Sequence, residues 1–124
     1  MKKLVIDRSK WRTGQRGENA SGDGITMLLN FEGYMCCLGF FCNASGIHRE
    51  DLVGVGAPDE LDKQFFSKIP LLISEVNIRS QFTDIAIEIN DNEDMCREER
   101  EDQIRVHFAS EGIKVEFIND YTNV

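Results

Sequence analysis

The sequence lacks the segments that mark membrane-spanning or exported proteins. No apolar run approaches the ~20 residues of a membrane span, and the first one, residues 4–6, is far shorter than the apolar core of a signal peptide. The two prolines mark no linker, and no internal repeat or low-complexity stretch is present. We therefore expect a soluble cytoplasmic protein that folds as one domain over residues 1–124.

Histidine and paired cysteines are also scarce. His48 and His107 are the only imidazoles, and no Ser-His-Asp or Cys-His pattern stands out from the spacing, so no catalytic residue is predicted. The four cysteines are expected to be free thiols in a reducing compartment. The spacing Cys37-x4-Cys42-x5-His48 lacks the second ligand pair of a structural zinc site. We predict no metal site and expect these cysteines to pack in the core.

Charge is abundant and is divided by position. The net charge is -8, yet the first twenty residues carry six basic side chains against two acidic ones. Residues 84–102 carry nine acidic side chains against two arginines. An acidic chain is repelled by nucleic-acid polymers, but a few converging arginines can still hold a small phosphate. The charge pattern therefore favours a compact anionic ligand and argues against a nucleic-acid polymer.

The N-terminal loop combines cations, a large aromatic ring and flexible backbone in the residues Arg8, Trp11, Arg12, Thr13, Gly14, Arg16 and Gly17. Arginine forks bind phosphate oxygens two at a time, and an indole ring can stack on a base. The loop matches neither of the two glycine-rich nucleotide fingerprints. Two interpretations stay open: a phosphate-binding loop, or a solvated loop with Trp11 packed in the core.

The acidic region has a weak likeness to an EF-hand loop. Oxygen-bearing residues at positions 90, 92 and 94, with Glu101 at the twelfth position, follow that spacing. Asn90 stands where aspartate is needed and Met95 where glycine is needed, so we do not predict calcium binding. The alternatives are a polar connection into the acidic first turn of a helix, or a site where Asn92 and Asp94 read the edge of a base.

Hydrophobic periodicity predicts an α+β domain, with short strands near both ends and helices between them. The predicted strands are residues 3–6, 26–31 and 113–118, and the predicted helical segments are residues 35–45, 58–68, 71–76, 82–90 and 98–111. The segment 82–90 is ambiguous, and a helix is favoured because a polar run follows it. We expect the strands to form a small antiparallel sheet packed with the helices. The edges of such a small sheet favour dimerisation.

Four strings together resemble a known family: DRSKW at 7–11, MCCLG at 35–39, AIEINDN at 86–92, and EERE at 98–101 followed by GIKVEF at 112–117. The sequence is similar to the small phage and prophage anti-Thoeris sponge proteins, the first-described family of that kind. The resemblance covers nearly the whole chain, and none of its motifs is a catalytic signature.

The resemblance implies a non-catalytic function in the cytosol of a bacterial host. Such proteins sequester cyclic ADP-ribose isomers made by TIR-domain enzymes and so block Thoeris anti-phage defence. They bind the signal without cleaving it, use no cofactor, and are homo-oligomers, at least dimers, with pockets lined by both protomers. A second, cyclic-oligonucleotide site of some relatives is not predicted here, because Ala57 and Ala109 stand in the corresponding stretches.

The resemblance also implies ligand contacts for particular residues. Phe82 corresponds to the aromatic that stacks on adenine, and Asn92 to a polar reader beside it. The matching N-terminal motif contains Arg8, Trp11, Arg12 and Thr13.

Two other functions stay open. In the first, the acidic residues 84–102 imitate nucleic acid, and the protein inhibits a basic, nucleic-acid-binding host protein. In the second, the protein is an enzyme that degrades the same nucleotide with His107 or Glu88.

Overall fold

A computed structural model describes residues 1–14 and 19–122. The described residues form, in chain order, β1 (Lys3–Asp7), a 3₁₀ turn (Arg8–Lys10), α1 (Cys37–Ala44), α2 (Arg49–Leu52), two 3₁₀ segments (Pro58–Glu60 and Lys63–Lys68), β2 (Ile73–Glu75), β3 (Ile78–Arg79), α3 (Gln81–Asp91), α4 (Arg97–Ala109) and β4 (Lys114–Ile118). The predicted α+β class is confirmed. Among the described helices, none has both the length and the apolar character that crossing a bilayer requires.

The two terminal strands are present as predicted, but the antiparallel pairing expected for them is wrong, because β1 and β4 lie side by side in parallel. Lys3 pairs with Lys114 and the register continues to Asp7 opposite Ile118. The alternation of the side chains turns Leu4, Ile6 and Val115 inward, where each is at most 5% exposed. Parallel neighbours need a long crossover, and here the helices between β1 and β4 supply it. The antiparallel pairing lies elsewhere, between β2 and β3.

The predicted strand at residues 26–31 is wrong. This segment makes only an isolated bridge between Leu29 and Val53 within the described residues. The Asn30 side chain instead bonds to nearby backbone: its amide donates to the carbonyls of Asp23 and Ile25, and its Oδ1 accepts from two following backbone N–H groups. An asparagine that satisfies local backbone in this way replaces the hydrogen bonds of a sheet with those of a turn.

Helix α1 is the buried helix that its apolar sequence predicts. Residues 37–42 are all buried. Gly39 is required here, because a Cβ at this position would lie 1.8 Å from the Leu28 carbonyl oxygen. Gly46 follows the helix with φ +100°, which confirms the predicted left-handed stop.

The predicted helix at 58–68 is two separate 3₁₀ segments. Leu61 between them is extended, with ψ 158°, and Asp62 begins the second segment by accepting a hydrogen bond from the Gln64 N–H. The aspartate caps a new turn in place of continuing the first one. The predicted helical piece at 71–76 is also wrong. It forms the β2–β3 hairpin, in which Asn77 adopts φ +63°, a conformation that asparagine tolerates in turns.

Helices α3 and α4 confirm the predictions for 82–90 and 98–111. Ser80 caps α3 by accepting a hydrogen bond from the Thr83 N–H. Ile104 and Phe108 form the inner face of α4 and are fully buried. Phe108 contacts Phe41 of α1 and lies edge-on to Phe82 of α3, so these three helices share one core.

Candidate functional site

Trp11 lies in the core, not at a binding surface. Its side chain is 0% exposed, and Nε1–H donates to Asn90 Oδ1 at 2.8 Å. The indole packs against the rings of Phe117 and Tyr121, with centroid distances of 5.2 and 6.2 Å. Of the two interpretations of the N-terminal loop, the core-packed tryptophan is the one that the structure shows.

Arg8 is held by a carboxylate of its own chain. Its Nε and Nη2 donate to the two oxygens of Glu101 at 2.8 and 2.6 Å, and Nη1 donates to the Asn119 carbonyl. Such a two-point pair is the strong form of an arginine–carboxylate contact. The hydrogen bond to Glu101 raises the pKa of Arg8. A phosphate would have to displace this pair in order to bind Arg8.

Arg12 and Thr13 are buried and form hydrogen bonds with nearby residues. The Arg12 guanidinium donates to the carbonyls of Gly24, at 2.8 Å, and of Thr13 and Ser21. Thr13 Oγ1 lies 2.8 Å from Ser21 Oγ and is 0% exposed. Burial lowers the pKa of Arg12, yet an arginine remains charged. Arg16 and Gly17, the other members of the predicted loop, lie outside the described residues.

Phe82 lies in the first turn of α3, and one face of its ring is covered. The His107 ring stacks on it with a centroid distance of 4.1 Å and an interplanar angle of 17°. His107 Nε2 also lies 2.9 Å from the Phe82 carbonyl oxygen. Phe82 is 8% exposed, so a base could stack on it directly only if His107 moved.

Asn92 lies at the other end of α3, where it is the C-cap residue. Its Oδ1 accepts a hydrogen bond from the Asp94 N–H at 2.9 Å, and its carbonyl accepts from Arg100 Nη2. Ten residues of helix separate Phe82 from Asn92, which is a distance of about 15 Å along the axis. One chain therefore does not bring these two residues side by side.

A groove lies next to Arg12. It is lined by that predicted ligand contact and by residues for which no ligand contact was predicted. Two adjoining cavities, of about 230 and 420 Å³, share Thr26 and Asp91 on their walls. Arg79 and the first residues of α1 line the smaller cavity, and Arg12 lines the larger one. We call this space the α1 groove. The volume of the two cavities together falls in the range of small-ligand sites, roughly 300–1,000 Å³.

Charges of both signs line the α1 groove. Burial raises the pKa of Asp91, while the hydrogen bond from Asn90 and the charges of Arg12 and Arg100 oppose that rise. Arg79 is 41% exposed, and its Nε lies 3.4 Å from Asp84 and 3.7 Å from Asp59. The groove can therefore offer cations to an anion and a carboxylate to hydroxyl or amino groups.

The N-terminus of α1 adds partial positive charge to the same groove. Cys36 caps the helix without a side-chain hydrogen bond, and the first turn has no acidic residue. The Cys37 N–H donates to Asn90 Oδ1 at 3.0 Å. Helix N-termini favour negative ligands through their dipole and free N–H groups.

Two polar side chains that were not predicted to be buried, those of Asn90 and Arg100, organise this region. Asn90 is 1% exposed, and its side chain bonds to Trp11, Cys37 and the Arg12 carbonyl. Arg100 is also 1% exposed and donates to Thr13 Oγ1 and to four carbonyls, those of Asn19, Ile89, Asn92 and Met95.

A signal for both residues was present in the helical spacing. Asn90 follows Phe82 and Ala86 at intervals of four, and Arg100 precedes Ile104 and Phe108 at the same interval. Residues four apart share a helix face. A polar residue on an apolar stripe indicates a buried polar group with partners.

The cysteines are free, and three of the four are buried, as predicted for Cys37 and Cys42. Burial raises the pKa of Cys36 to about 11 and also raises that of Cys37 and Cys42, so these thiols stay protonated and pack as apolar groups. Cys96 is exposed at the start of α4. No group of three or more metal-ligating side chains is found in residues 1–14 and 19–122.

A comparison with known proteins finds no matching family model, no significantly similar curated protein and no significantly similar solved structure.

Proposed function

We propose that this protein sequesters a compact nucleotide dianion of the cyclic ADP-ribose type and releases it chemically unchanged. Thoeris defence would be blocked because the signal is removed from solution. The α1 groove is the observation that supports this proposal most strongly. It is a ligand-sized space beside the N-terminal motif, with cationic donors, a helix N-terminus and two carboxylates, Glu60 and Asp91, on its walls.

Each wall of the groove suits one part of such a nucleotide. Arg79 and the N-terminus of α1 can bind the pyrophosphate, because both attract anions and donate hydrogen bonds. Asp91 can accept hydrogen bonds from ribose hydroxyls, and the Thr26 hydroxyl can donate or accept. Binding of this kind requires a formed cleft and complementary polar groups and needs no nucleophile.

In this proposal, the N-terminal motif forms and stabilises one wall of the α1 groove. Arg8, Trp11 and Thr13 are bonded within the chain and keep the wall of the groove in place. Arg12 lines the groove and adds its charge. The adenine contacts of Phe82 and Asn92 stay predictions from the resemblance, and Asn92→Ala, which should weaken capture, tests the less buried of the two.

We further propose that the active form is a homodimer. The β1–β4 sheet has two strands, so each strand has one side without a neighbouring strand among the described residues. Such edges pair readily with another chain. Sedimentation velocity should give a dimer mass at micromolar concentration, and a monomer mass would overturn this part of the proposal.

The test of function is capture followed by release. Purified protein is mixed with cyclic ADP-ribose isomers, and separately with linear ADP-ribose. The protein is then removed by filtration and heated. We expect one cyclic isomer to be absent from the filtrate and to return intact after denaturation. Ligand that stays in the filtrate would overturn sequestration, and a product of altered mass would indicate an enzyme.

Two arginine variants locate the site. Arg79→Ala should weaken capture about tenfold, equivalent to about 1.4 kcal/mol, because one charge-assisted contact is lost. Arg105→Ala is the matched control, since Arg105 is 45% exposed, close to the 41% of Arg79, and likewise forms ion pairs with two carboxylates, those of Glu101 and Asp102. Both variants should keep the melting temperature, because surface ion pairs contribute little to stability. Equal weakening by both would exclude the α1 groove.

A further inference from the structure

Helices α3 and α4 enclose a second groove, which is separate from the α1 groove and has Asn92 on the wall of its smaller cavity. Two adjoining cavities, of about 610 and 420 Å³, share Ile85, Ile89, Glu99 and Gln103 on their walls. We call this space the α3–α4 groove. Ile85 and Val106 are 38% and 73% exposed beside it, which is unusual for large aliphatic side chains. The groove therefore has an apolar surface that no other element of the described chain covers.

Carboxylates surround this apolar surface. Glu98, Glu99 and Asp102 of α4 line the larger cavity, and Glu88 of α3 lines the smaller one. Asp102 pairs with Arg105 at 3.0 Å. For the three glutamates, no ion pair is found in the described part of the chain. The rim thus carries three glutamates whose charge no ion pair of residues 1–14 and 19–122 neutralises.

We propose that the α3–α4 groove binds a basic amphipathic helix of another protein. Apolar side chains at i, i+3, i+4 and i+7 of that helix would pack on Ile85, Ile89 and Val106. Flanking lysines or arginines would meet the glutamates of the rim. Opposite charges at a rim speed association and select partners.

Charge excludes the other occupants. A nucleotide or an anionic membrane surface would be repelled by the glutamates of the rim. A second copy that docks through the same face about a two-fold axis would place each acidic rim against its equivalent, and like charges opposed at an interface cost several kcal/mol. A basic partner is the occupant whose charge complements the groove.

The test uses a synthetic helix in place of the unidentified partner. The probe is a labelled peptide of about 14 residues, with leucine at the amphipathic spacing and lysine elsewhere. Its controls are a scrambled peptide of the same composition and a version with glutamate in place of lysine. We expect micromolar binding by fluorescence anisotropy for the patterned basic peptide, at least tenfold tighter than for either control. If the scrambled peptide binds equally well, the proposal that the groove recognises an amphipathic helix is overturned.

Surface variants then locate the binding site. Val106→Ser and the double variant Glu98→Gln/Glu99→Gln should each weaken the peptide at least fivefold. Val76→Ser is the apolar control, because Val76 is 60% exposed at the β2–β3 turn. Glu50→Gln/Asp51→Asn is the acidic control, because these residues form the first turn of α2. Neither control should change binding.

Two results would assign the groove differently. If Val106→Ser leaves peptide binding unchanged, the groove is not the docking site. If it instead converts a dimer into a monomer in sedimentation velocity, the face is an interface between copies of this chain. The first result leaves the capture of nucleotides through Arg79 and the α1 groove untouched, and the second would place the interface of the proposed homodimer on this face.

Discussion

The N-terminal segment, residues 8–13, and helix α4 are both rich in charge, but the fold uses their charges in opposite ways. In the segment, Arg12 is 7% exposed and donates to backbone carbonyls of the same region. Helix α4 buries Arg100 and Glu101 on one side and leaves Glu98, Glu99 and Asp102 on the other. A charged residue is therefore structural or available according to whether a partner meets it in the interior.

The two regions are also joined to each other. Arg8 binds Glu101, and Arg100 binds Thr13 Oγ1, so α4 holds both ends of the segment. These contacts couple the wall of the α1 groove to the inner face of α4. Substitutions that remove contacts between the two regions should lower the free energy of unfolding strongly. Substitutions on the outer face of α4 should change it little.

The largest effect is expected from Arg100→Met. The change leaves the carbonyls of Ile89, Asn92 and Met95 without their donor in the interior. We expect a loss of about 3–5 kcal/mol in the free energy of unfolding, measured by urea denaturation. Arg105→Met is the matched control and should change stability by less than about 0.5 kcal/mol. A similar loss in both variants would show that Arg100 is not the link between the regions.

Asn90→Ala should have the next largest effect. Trp11 Nε1–H and the Cys37 N–H both lose their acceptor in a buried position. We expect about 2–3 kcal/mol of destabilisation. Because Trp11 is the only tryptophan, its emission reports on this site directly.

A matched asparagine separates the Asn90 network from asparagine truncation in general. Asn43 donates one hydrogen bond, to the Ile47 carbonyl, from a partly exposed position. Asn43→Ala should therefore cost about 1 kcal/mol or less and leave the tryptophan emission unchanged. If folded Asn90→Ala has the same emission maximum as the folded native protein, the hydrogen bond from Asn90 does not determine the environment of Trp11.

Glu101→Gln tests the contact of Arg8 through pH. Burial opposes ionisation of Glu101, but hydrogen bonds from Arg8 and Tyr121 outweigh it and lower its pKa. A lowered pKa contributes stability that is present above the unfolded value, about 4.3, and lost as pH falls through the folded value. The native protein should therefore lose about 1–2 kcal/mol between about pH 5 and pH 3 that Glu101→Gln does not lose.

The control for this titration is Asp102→Asn, which changes an exposed carboxylate of the same helix, 74% exposed. Its stability should follow the native pH dependence. If Asp102→Asn and Glu101→Gln flatten the curve equally, the acid transition does not originate at the Arg8–Glu101 pair.

The smallest effect, and the only stabilising one, is expected from Asp91→Asn. Burial raises the pKa of Asp91, so its contribution to stability is greatest when it is protonated and declines as pH rises above the unfolded value, about 3.9. The amide should raise the free energy of unfolding by about 1 kcal/mol or less at pH 7 and by less at pH 4. Thermal unfolding at both pH values measures this, and a destabilised variant at pH 7 would show that the carboxylate is needed by its neighbours.

Much of the fold follows from local patterns. The strands β1 and β4 alternate, α1 is apolar on nearly every side and ends before Gly46, and Ser80 caps α3. Each of these signals involves residues within a few positions of one another. The predictions that failed were those in which local hydrogen bonding competes with periodicity. Asn30 and Asp62 each bond to nearby backbone and so redirect a segment whose apolar pattern indicated a strand or a helix.

The candidate site was only partly predictable. Arg12 lines the α1 groove as an N-terminal cation, but Thr26, Arg79 and Asp91 come from three distant segments. No spacing rule joins residues so far apart in the chain. The assignment of Phe82 and Asn92 rests on the resemblance, and the structure shows them at opposite ends of one helix.

The sequence by itself determined the helices α1, α3 and α4 and the two terminal strands, and it determined an acidic net charge, because these properties depend on neighbouring residues and on composition. Tertiary structure alone decided that Trp11 and Arg100 are interior, that β1 and β4 run in parallel, and that two grooves of different charge lie on one small domain. The physical reason is that burial and hydrogen-bond partners depend on contacts across the whole chain, such as the one between Arg8 and Glu101, 93 positions apart.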